Sequence, residues 1–209
     1  MKYIKKIQYN SPVTLTYALL ALAALGLGYL TKNKSTLLVF SVYRSHISDP
    51  LMYLRLFAHV AGHADLAHYF NNFLIIMLIG PMLEEKYGSR AILFMILLTA
   101  VVTGVINMAF FNTALLGASG VAFMFILLSS FVNLKTGRLP VTFILVLVIY
   151  IGREIIDGIS ISDNVSQLSH IAGGICGATL GFYLNRDVLF KAKTSKTPDE
   201  TPAETDTMI

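Results

Sequence analysis

The sequence predicts an all-α membrane protein, a bundle of six transmembrane helices with a long, partly embedded first loop. Two observations carry this prediction. Of its 209 residues, 55% are hydrophobic and only 13% are charged, about half of the roughly 25% charged residues typical of soluble domains. The charges also cluster between long uncharged runs, and a run of about 20 apolar residues is long enough to cross a bilayer.

The net charge of +4 does not indicate a nucleic-acid partner. The basic residues lie at the ends of apolar runs, where lysine and arginine normally fix membrane topology. No basic patch interleaved with aromatic residues occurs in the sequence. The single cysteine, Cys176, excludes an internal disulfide and lies among small residues, so we expect it to fill space.

The first predicted span covers residues 11–31, after a basic segment, 1–10, that we expect to be a cytoplasmic N-terminus. A secretory signal peptide is the alternative, with Ala21-Leu22-Ala23 as a cleavage site. The apolar run continues to Leu30, well beyond that site, which favours a transmembrane helix.

Residues 32–65 form the longest connection, in which aromatic and aliphatic residues alternate with Arg44, His46, Asp49 and Arg55. This segment is too polar to span and too apolar to be a free linker, so we expect it to lie half embedded in the membrane interface. The second span is predicted over residues 66–83.

No charged residue lies between Arg90 and Lys135. A single straight helix of that length would extend about 65 Å, twice the roughly 30 Å of a hydrocarbon core, so the run must turn back. The polar pair Asn112-Thr113 predicts the turn, with the third span over 91–111 and the fourth over 116–133.

The fifth predicted span, 139–152, is short, and we hypothesise that a weakly anchored helix of this kind moves. The sixth, 163–186, carries Gly173, Gly177 and Gly181 at every fourth position. Such a seam permits close helix approach, so we expect this helix to be central. The membrane domain is therefore predicted over 11–186, followed by a disordered cytoplasmic tail over 187–209.

Counting six spans places most basic residues on one side of the membrane. By the positive-inside rule this side is cytoplasmic and holds both termini. The short ends and the composition suggest a prokaryotic inner membrane. The basic residues assigned to this side are Lys2, Lys5, Lys6, Lys86, Arg90, Lys135, Arg138, Arg186, Lys191 and Lys193.

The stretch Gly117-Ala118-Ser119-Gly120 lies deep within an uncharged run. Close helix packing is one interpretation, since small residues let helices approach in membranes. The other is a nucleophile: a serine on a turn at a helix start has backbone N–H groups nearby for an oxyanion.

Three polar residues inside predicted spans favour the second interpretation. Asn72, Ser119 and His170 each lie seven residues after a polar residue that marks the outer end of the helix, about 10 Å along it. These markers are Asp65, Asn112 and Asp163. Polar side chains at membrane depth are usually functional or line a cavity. Three of them at one level therefore indicate a site.

The chemistry that unites these residues is acyl transfer. A neutral histidine can take the serine proton near pH 7, so His170 is the candidate base. Asn72 can donate to a developing oxyanion, and so can His68, one turn earlier on the same helix face. Asp163 lies two turns from His170, too far to touch its ring, so we expect a Ser–His dyad rather than a triad.

Over residues 11–184 the chain resembles the rhomboid intramembrane serine proteases. Four motifs carry the resemblance, in this order: His63-x4-His68-x3-Asn72, Glu84-x3-Gly88-Ser89, Gly117-Ala118-Ser119-Gly120 and His170-x2-Gly173-x3-Gly177-x3-Gly181.

The resemblance implies Ser119 as nucleophile and His170 as general base. It also implies His68, Asn72 and the Ser119 backbone N–H as oxyanion donors, with Gly117, Gly120 and Phe123 supporting the nucleophile and Arg55 holding the first loop. The implied substrates are other membrane proteins, cut in or next to transmembrane segments within the lipid bilayer, and no cofactor or metal is expected.

Two departures from the family pattern accompany the matches. Leu54 stands where many members have tryptophan before the arginine, so we expect looser anchoring of the first loop. Phe123 stands where many have tyrosine; its ring can still pack on His170, but the hydroxyl is missing.

The same residues are compatible with two other classes of protein. A membrane haem or metal protein would use His59, His63, His68 and His170 as ligands. A catalytically silent relative would act as a membrane chaperone, although the presence of both Ser119 and His170 speaks against it. The sequence predicts neither the natural substrate nor the oligomeric state.

Structural roles are expected for several other polar residues. His59 and His63 should hold the loop to a helix through hydrogen bonds. Glu84 and Arg90 are interpreted as salt bridges or helix caps at the cytoplasmic edge, each contributing under about 1 kcal/mol if exposed.

Overall fold

The computed structural model describes residues 9–132 and 164–186 and, between them, positions 141, 144, 145, 148, 149 and 152. In this part of the chain the regular structure is helical, with seven α-helices, one short 3-10 helix, His59–Ala61, and no β-strand beyond one isolated bridge pair, Val42 and Leu115. The helices are α1 (Pro12–Leu30), α2 (Lys34–Leu38), α3 (Pro50–Ala58), α4 (Leu66–Tyr87), α5 (Ser89–Phe110), α6 (Ser119–Ser129) and α7 (Asn164–Leu184).

Among the described helices, α1, α4 and α5 are long and apolar enough to cross a membrane, so the chain is an integral membrane protein. Their bounds lie within a few residues of the first three predicted spans, and α7 coincides with the sixth. The fifth span, 139–152, and the tail, 187–209, lie largely outside the described residues. The count of six spans therefore stays a prediction.

The fourth predicted span is shorter than expected. It was predicted to begin at residue 116, but α6 begins at Ser119 and ends at Ser129. Gly117 has φ +123°, which a right-handed helix cannot accommodate. Leu115 uses both its backbone N–H and its carbonyl in the bridge to Val42, so the chain before Ser119 is extended rather than helical.

Glu84, near the end of α4, joins that helix to the start of α1. Its carboxylate accepts hydrogen bonds from the backbone N–H groups of Val13 and Thr14, each at 2.9 Å, and from the Thr14 hydroxyl at 2.8 Å. These N–H groups belong to the first turn of α1, where no intrahelical acceptor exists. The carboxylate thus caps a neighbouring helix and is only 4% exposed.

Of the two roles expected for Glu84, a salt bridge or a helix cap, the structure shows the cap, which is buried and charge-assisted. Arg90 is exposed and forms no ion pair with any residue that the structure describes.

The glycines of α7 form the expected seam against α6. A Cβ atom added at Gly173 would overlap the backbone of Gly120, and one at Gly177 would overlap the backbone of Met124. The most extensive helix contact in the described part of the chain is between α6 and α7. The seam fixes the position of α7, and with it His170, relative to Ser119 on α6.

Arg55 organises the connection between α1 and α4. It is 3% exposed, donates to the Leu38 carbonyl at 2.8 Å, and forms an ion pair with Asp49 at 2.8 Å. Its guanidinium also lies 4.4 Å from the centre of the Tyr43 ring. One buried cation thereby ties together three points of the connection: the end of α2, the residue that caps α3, and Tyr43 between them. The described contacts of Arg55 thus lie within the connection, as expected for a residue that holds the first loop.

Candidate active site

The turn that delivers Ser119 is fixed on two sides. The N–H of Gly117 donates to the His59 carbonyl at 3.0 Å, and the preceding Leu115 pairs with Val42 through two backbone hydrogen bonds of 2.9 Å. Gly117 is needed for its positive φ and for space, because a Cβ atom there would lie 2.8 Å from Nε2 of His68.

Ser119 is the first residue of α6 and is half-buried. At a helix start the backbone N–H groups have no intrahelical acceptor, and the first bond of α6 is donated by Ala122 to Ala118. The backbone N–H groups of Ser119 and Gly120 therefore lie in the first turn of α6, beside the Ser119 hydroxyl, and have no acceptor within the helix. This arrangement places the Ser119 hydroxyl next to backbone donors and to the positive end of a helix dipole.

His68 and Asn72 project from α4 toward the same turn. Asp65 caps α4 by accepting from the His68 backbone N–H at 2.7 Å, which sets where the helix begins. A Cβ atom at Gly117 would meet both His68 Nε2 and, at 3.8 Å, Asn72 Nδ2. His68 is half-buried and Asn72 is 7% exposed. Two side-chain donors thus lie against the loop that carries the serine.

His63 joins this cluster by hydrogen bonds of the neutral ring. Its Nδ1 donates to the Ala61 carbonyl at 3.2 Å, which leaves Nε2 as an acceptor. Nε2 lies 3.3 Å from Asn72 Nδ2 and 3.4 Å from the backbone nitrogen of Ala118, both of which donate to it. His63 thereby orients the Asn72 amide and the residue before Ser119.

The environment of His63 keeps its ring neutral. Burial is the main cause that lowers the pKa of His63 to about 4, and the nearby His68 lowers it further. His63 belongs to the connection before α4 and lies outside the candidate spans. A neutral ring is what its acceptor role at Nε2 requires.

His59 has the supporting role that the sequence suggested. The ring is 1% exposed, with Nδ1 3.1 Å from the Arg55 carbonyl and Nε2 3.3 Å from the Thr103 hydroxyl of α5. Burial lowers the pKa of His59 to about 4. Its own carbonyl accepts from Gly117, so His59 links the connection, α5 and the serine turn.

His170 is half-buried in α7 and lies beside α6. The ring centres of His170 and Phe123 are 4.5 Å apart, with an angle of 44° between the planes, so the packing expected from the sequence is present. Phe123 is one turn beyond Ser119 on α6. Gly120, which follows Ser119, is also close to Ser169, which precedes His170. A Cβ atom at Gly120 would lie 3.4 Å from the Ser169 carbonyl oxygen.

Asn107 of α5 supports the site but was not singled out in the sequence. Its Nδ2 donates to the carbonyls of Val42 at 3.1 Å and Thr113 at 3.0 Å, so it holds together the two chain segments that meet in the bridge before Ser119. The sequence does carry a signal for Asn107, since a polar side chain within an apolar run is usually functional. The same rule pointed to Asn72, Ser119 and His170.

Within the part of the chain that the structure describes, the histidines of the connection and α4 do not cluster with other side chains that could hold a metal ion. The described part of the chain contains no group of three or more His, Cys, Asp or Glu side chains placed to hold a metal ion. His63 and His68 are neighbours, with ring centres 5.0 Å apart in an edge-to-face arrangement. Each of their described contacts is explained by packing or hydrogen bonding to the serine turn.

The chain was compared with models of protein families and with curated proteins. No curated protein matches the chain. The family model of the rhomboid domain matches residues 50–187, about two thirds of the chain, and covers α3 to α7 and every candidate site residue. The chain therefore belongs to the rhomboid family.

Proposed function

We propose that this chain is an intramembrane serine protease that hydrolyses peptide bonds in or next to transmembrane segments of other membrane proteins. The observation that carries the proposal is the placement of Ser119 at the start of α6. There the turn before it packs on His68 and Asn72, while Phe123, one turn later, packs on His170. Membership in the rhomboid family supports the same reaction class.

In the proposed reaction, the Ser119 hydroxyl attacks the scissile carbonyl and His170 accepts its proton as general base. The oxyanion of the tetrahedral intermediate takes hydrogen bonds from the Ser119 backbone N–H, His68 and Asn72. Protonated His170 then returns the proton to the leaving amine. A water molecule, activated by the same histidine, hydrolyses the acyl-enzyme and frees Ser119. The pair works as a Ser–His dyad.

Asn72 can act as an oxyanion donor only if its amide is correctly oriented. One hydrogen of Nδ2 is directed to His63 Nε2, and the second is left for the oxyanion because an amide nitrogen carries two. His63 is therefore a positioning residue for the donor. Its neutral state matters because a protonated Nε2 would repel the same amide.

The proposal includes the architecture around the site. The membrane domain spans residues 11–186 as six transmembrane helices, with both termini in the cytoplasm, and residues 187–209 form a tail. We propose a prokaryotic inner membrane as the location, on the basis of the composition. Water reaches Ser119 from the outer side, since hydrolysis requires it and the serine is half-buried rather than sealed.

Substrate helices must expose a peptide carbonyl before they can react. Inside a membrane an intact helix satisfies every carbonyl within itself. Cleavable segments should therefore contain glycine or proline that loosen the helix, with small residues at the cut. Replacing alanine by phenylalanine at a mapped cut site should lower cleavage, and undiminished cleavage would contradict this preference.

The experiment that tests the function is cleavage of a tagged transmembrane substrate in liposomes. Ser119→Ala and His170→Ala should each lower the rate of cleavage by about a thousandfold or more. The loss is large in both variants because removing one member of a catalytic unit costs nearly as much as removing the whole unit. Ser130→Ala, at the other end of α6, is the matched control and should cleave like the wild type. Equal cleavage by all variants would refute the protease proposal, and a membrane chaperone role would replace it.

A further inference from the structure

An apolar groove of about 680 Å³ lies along α1, and the candidate active site does not use it. Its walls come from α1, from the connection that contains α3, and from α5; none of the described lining residues belongs to α6 or α7. The groove is therefore formed by different helices from those that carry Ser119 and His170. Its lining includes Pro12, Thr16, Leu27, Phe57, Leu93 and Leu97.

The groove is long and faces the membrane. The α1 residues that line it extend from Pro12 to Leu27, about 22 Å of helix, compared with a hydrocarbon core of about 30 Å. Both α1 and α5 are candidate spans, so hydrocarbon rather than water fills the groove. Each leaflet contributes about half of the core, and the groove is long enough to hold a lipid chain along one leaflet.

Polar groups are found at the end of the groove where α1 and α5 begin. Arg90, in the first turn of α5, is exposed and has no ion-pair partner among the described residues. Leu93 and Leu97 follow it at spacings of three and seven, so all three share one helix face. At the same end, the hydroxyls of Tyr9 and Thr16 lie 3.0 Å apart.

Among the residues that the structure describes, the opposite end of the groove offers no equivalent exposed cation on its walls. Lys34 is exposed, but it begins α2, and no residue of α2 lines the groove. Lys86, near Arg90 in sequence, is directed away because its Nζ donates to the carbonyls of Phe131 and Val132 after α6. Arg55 lies beside the lining residues Leu54 and Phe57, but it is 3% exposed and paired with Asp49. Among the described residues, Arg90 is therefore the exposed, unpaired cation one turn from a lining residue.

We propose that this groove binds an acyl chain of an anionic phospholipid whose headgroup phosphate pairs with Arg90. Guanidinium groups bind phosphate oxygens in a bidentate manner, and basic residues next to a membrane attract anionic headgroups. In the orientation proposed above, Arg90 faces the cytoplasmic leaflet. The bound lipid would fill the space between α1, the connection and α5.

Photo-crosslinking from within the groove identifies the occupant directly. A diazirine amino acid is placed at Leu97, which lines the groove, or at Phe94, which is exposed on α5 but does not line it. The full chain is held in nanodiscs of equal phosphatidylglycerol and phosphatidylcholine. We expect Leu97 adducts to contain phosphatidylglycerol roughly fivefold more often than phosphatidylcholine, and Phe94 adducts to show no preference.

Substitutions separate the parts played by charge and by shape. Arg90→Gln should abolish the preference at position 97, while Lys34→Gln should retain it. Ala23→Phe fills the groove and should remove most of the lipid adduct, whereas Leu22→Phe, on the adjacent lipid-facing position outside the groove, should not.

Three results would overturn the proposal: equal adducts with both lipids at position 97, adducts unchanged by Ala23→Phe, or crosslinks to a peptide. A peptide from residues 1–8 would indicate that the chain covers its own groove, and an intermolecular peptide would indicate a second copy. The readout does not use proteolysis, so failure of the protease proposal would leave this test intact.

Discussion

His63 shows how one residue connects the loop, the oxyanion donor and the serine turn. Its ring accepts hydrogen bonds from Asn72 and Ala118 at one nitrogen while donating to Ala61 at the other. This network exists only when the ring is neutral. Burial of His63 and His59 lowers both pKa values to about 4, compared with the ordinary 6.5.

Stability should consequently fall in acid. Between pH 6.5 and 4 the unfolded chain binds protons on these two rings that the folded chain does not, so the free energy of unfolding rises with pH across this window. The pKa difference of each ring adds up to about 3 kcal/mol to the free energy of unfolding. This stabilisation is fully present above pH 6.5 and is lost progressively as the pH falls toward 4.

Reversible unfolding in micelles at several pH values measures this effect. His63→Gln and His59→Gln should each reduce the slope of stability against pH, and His46→Gln, at an exposed loop position, should not. A free energy of unfolding that is flat or increases as the pH falls from 6.5 to 4 would contradict the neutral-ring interpretation.

Some of the residue-level features were predictable from the sequence and others were not. Ser119, His68, Asn72 and His170 stand out because polar residues in apolar runs are rare. Several partners of His63 and Arg55 could not be predicted, because they are backbone groups that come close to these side chains only in the folded connection between α1 and α4.

At the scale of helices, buried contacts between helix ends and faces hold the site in place. The Glu84 carboxylate caps α1 from the end of α4 through three hydrogen bonds. A hydrogen bond to a charged group contributes about 1.5–3 kcal/mol, and an unpaired buried donor costs a similar amount.

Glu84→Gln should therefore destabilise the protein by about 2–3 kcal/mol, because the amide offers one acceptor oxygen and presents N–H groups to a backbone donor. Glu85→Gln is the matched control, since Glu85 is exposed on the next position of the same helix. The free energy of unfolding measures both. Equal stability of the two variants would mean that the cap contributes nothing.

The seam between α6 and α7 makes a second prediction. Gly173→Ala places a methyl group onto the backbone of Gly120, so the helices must separate. We expect a loss of at least about 2 kcal/mol, at the upper part of the range for overpacking, together with slower proteolysis because His170 moves with α7.

Gly26→Ala in α1 is the control, because a Cβ atom there meets nothing within 4 Å. Alanine is the better helix former by roughly 0.5–1 kcal/mol, so this variant should match or exceed wild-type stability. Full stability and activity of Gly173→Ala would show that the seam does not position α7.

Helix positions were more predictable than helix ends. Uncharged runs placed α1, α4 and α5 correctly, because the length needed to cross a membrane leaves little choice. The start of α6 was misplaced by three residues, since the left-handed geometry of Gly117 depends on a bridge to Val42, far away in sequence. The hydrogen-bond partner of Glu84 could likewise not be predicted, because it lies at the start of α1, 70 residues earlier in the sequence.

At the scale of the whole molecule, the proposed six spans and their orientation have a direct test. Single cysteines are introduced at Ile47, Asn112 and position 137 in a Cys176→Ala background and labelled with an impermeant maleimide in intact cells. Ile47 and Asn112 are exposed in the connections after α1 and α5.

We expect labelling at positions 47 and 112 in intact cells and at position 137 only after the cells are opened, because the positive-inside rule places the basic segment around 137 in the cytoplasm. The reverse pattern would invert the proposed orientation. Labelling of positions 47 and 112 from opposite sides would contradict the proposed number of spans between them.

The central claim is that His170 activates Ser119 for nucleophilic attack. Reaction of the protein in liposomes with a fluorophosphonate probe measures that activation without any choice of substrate. We predict labelling of the wild type at Ser119, none in Ser119→Ala, and labelling slowed about a hundredfold or more in His170→Ala. Absence of wild-type labelling above Ser119→Ala, or equal rates with and without His170, would contradict the account.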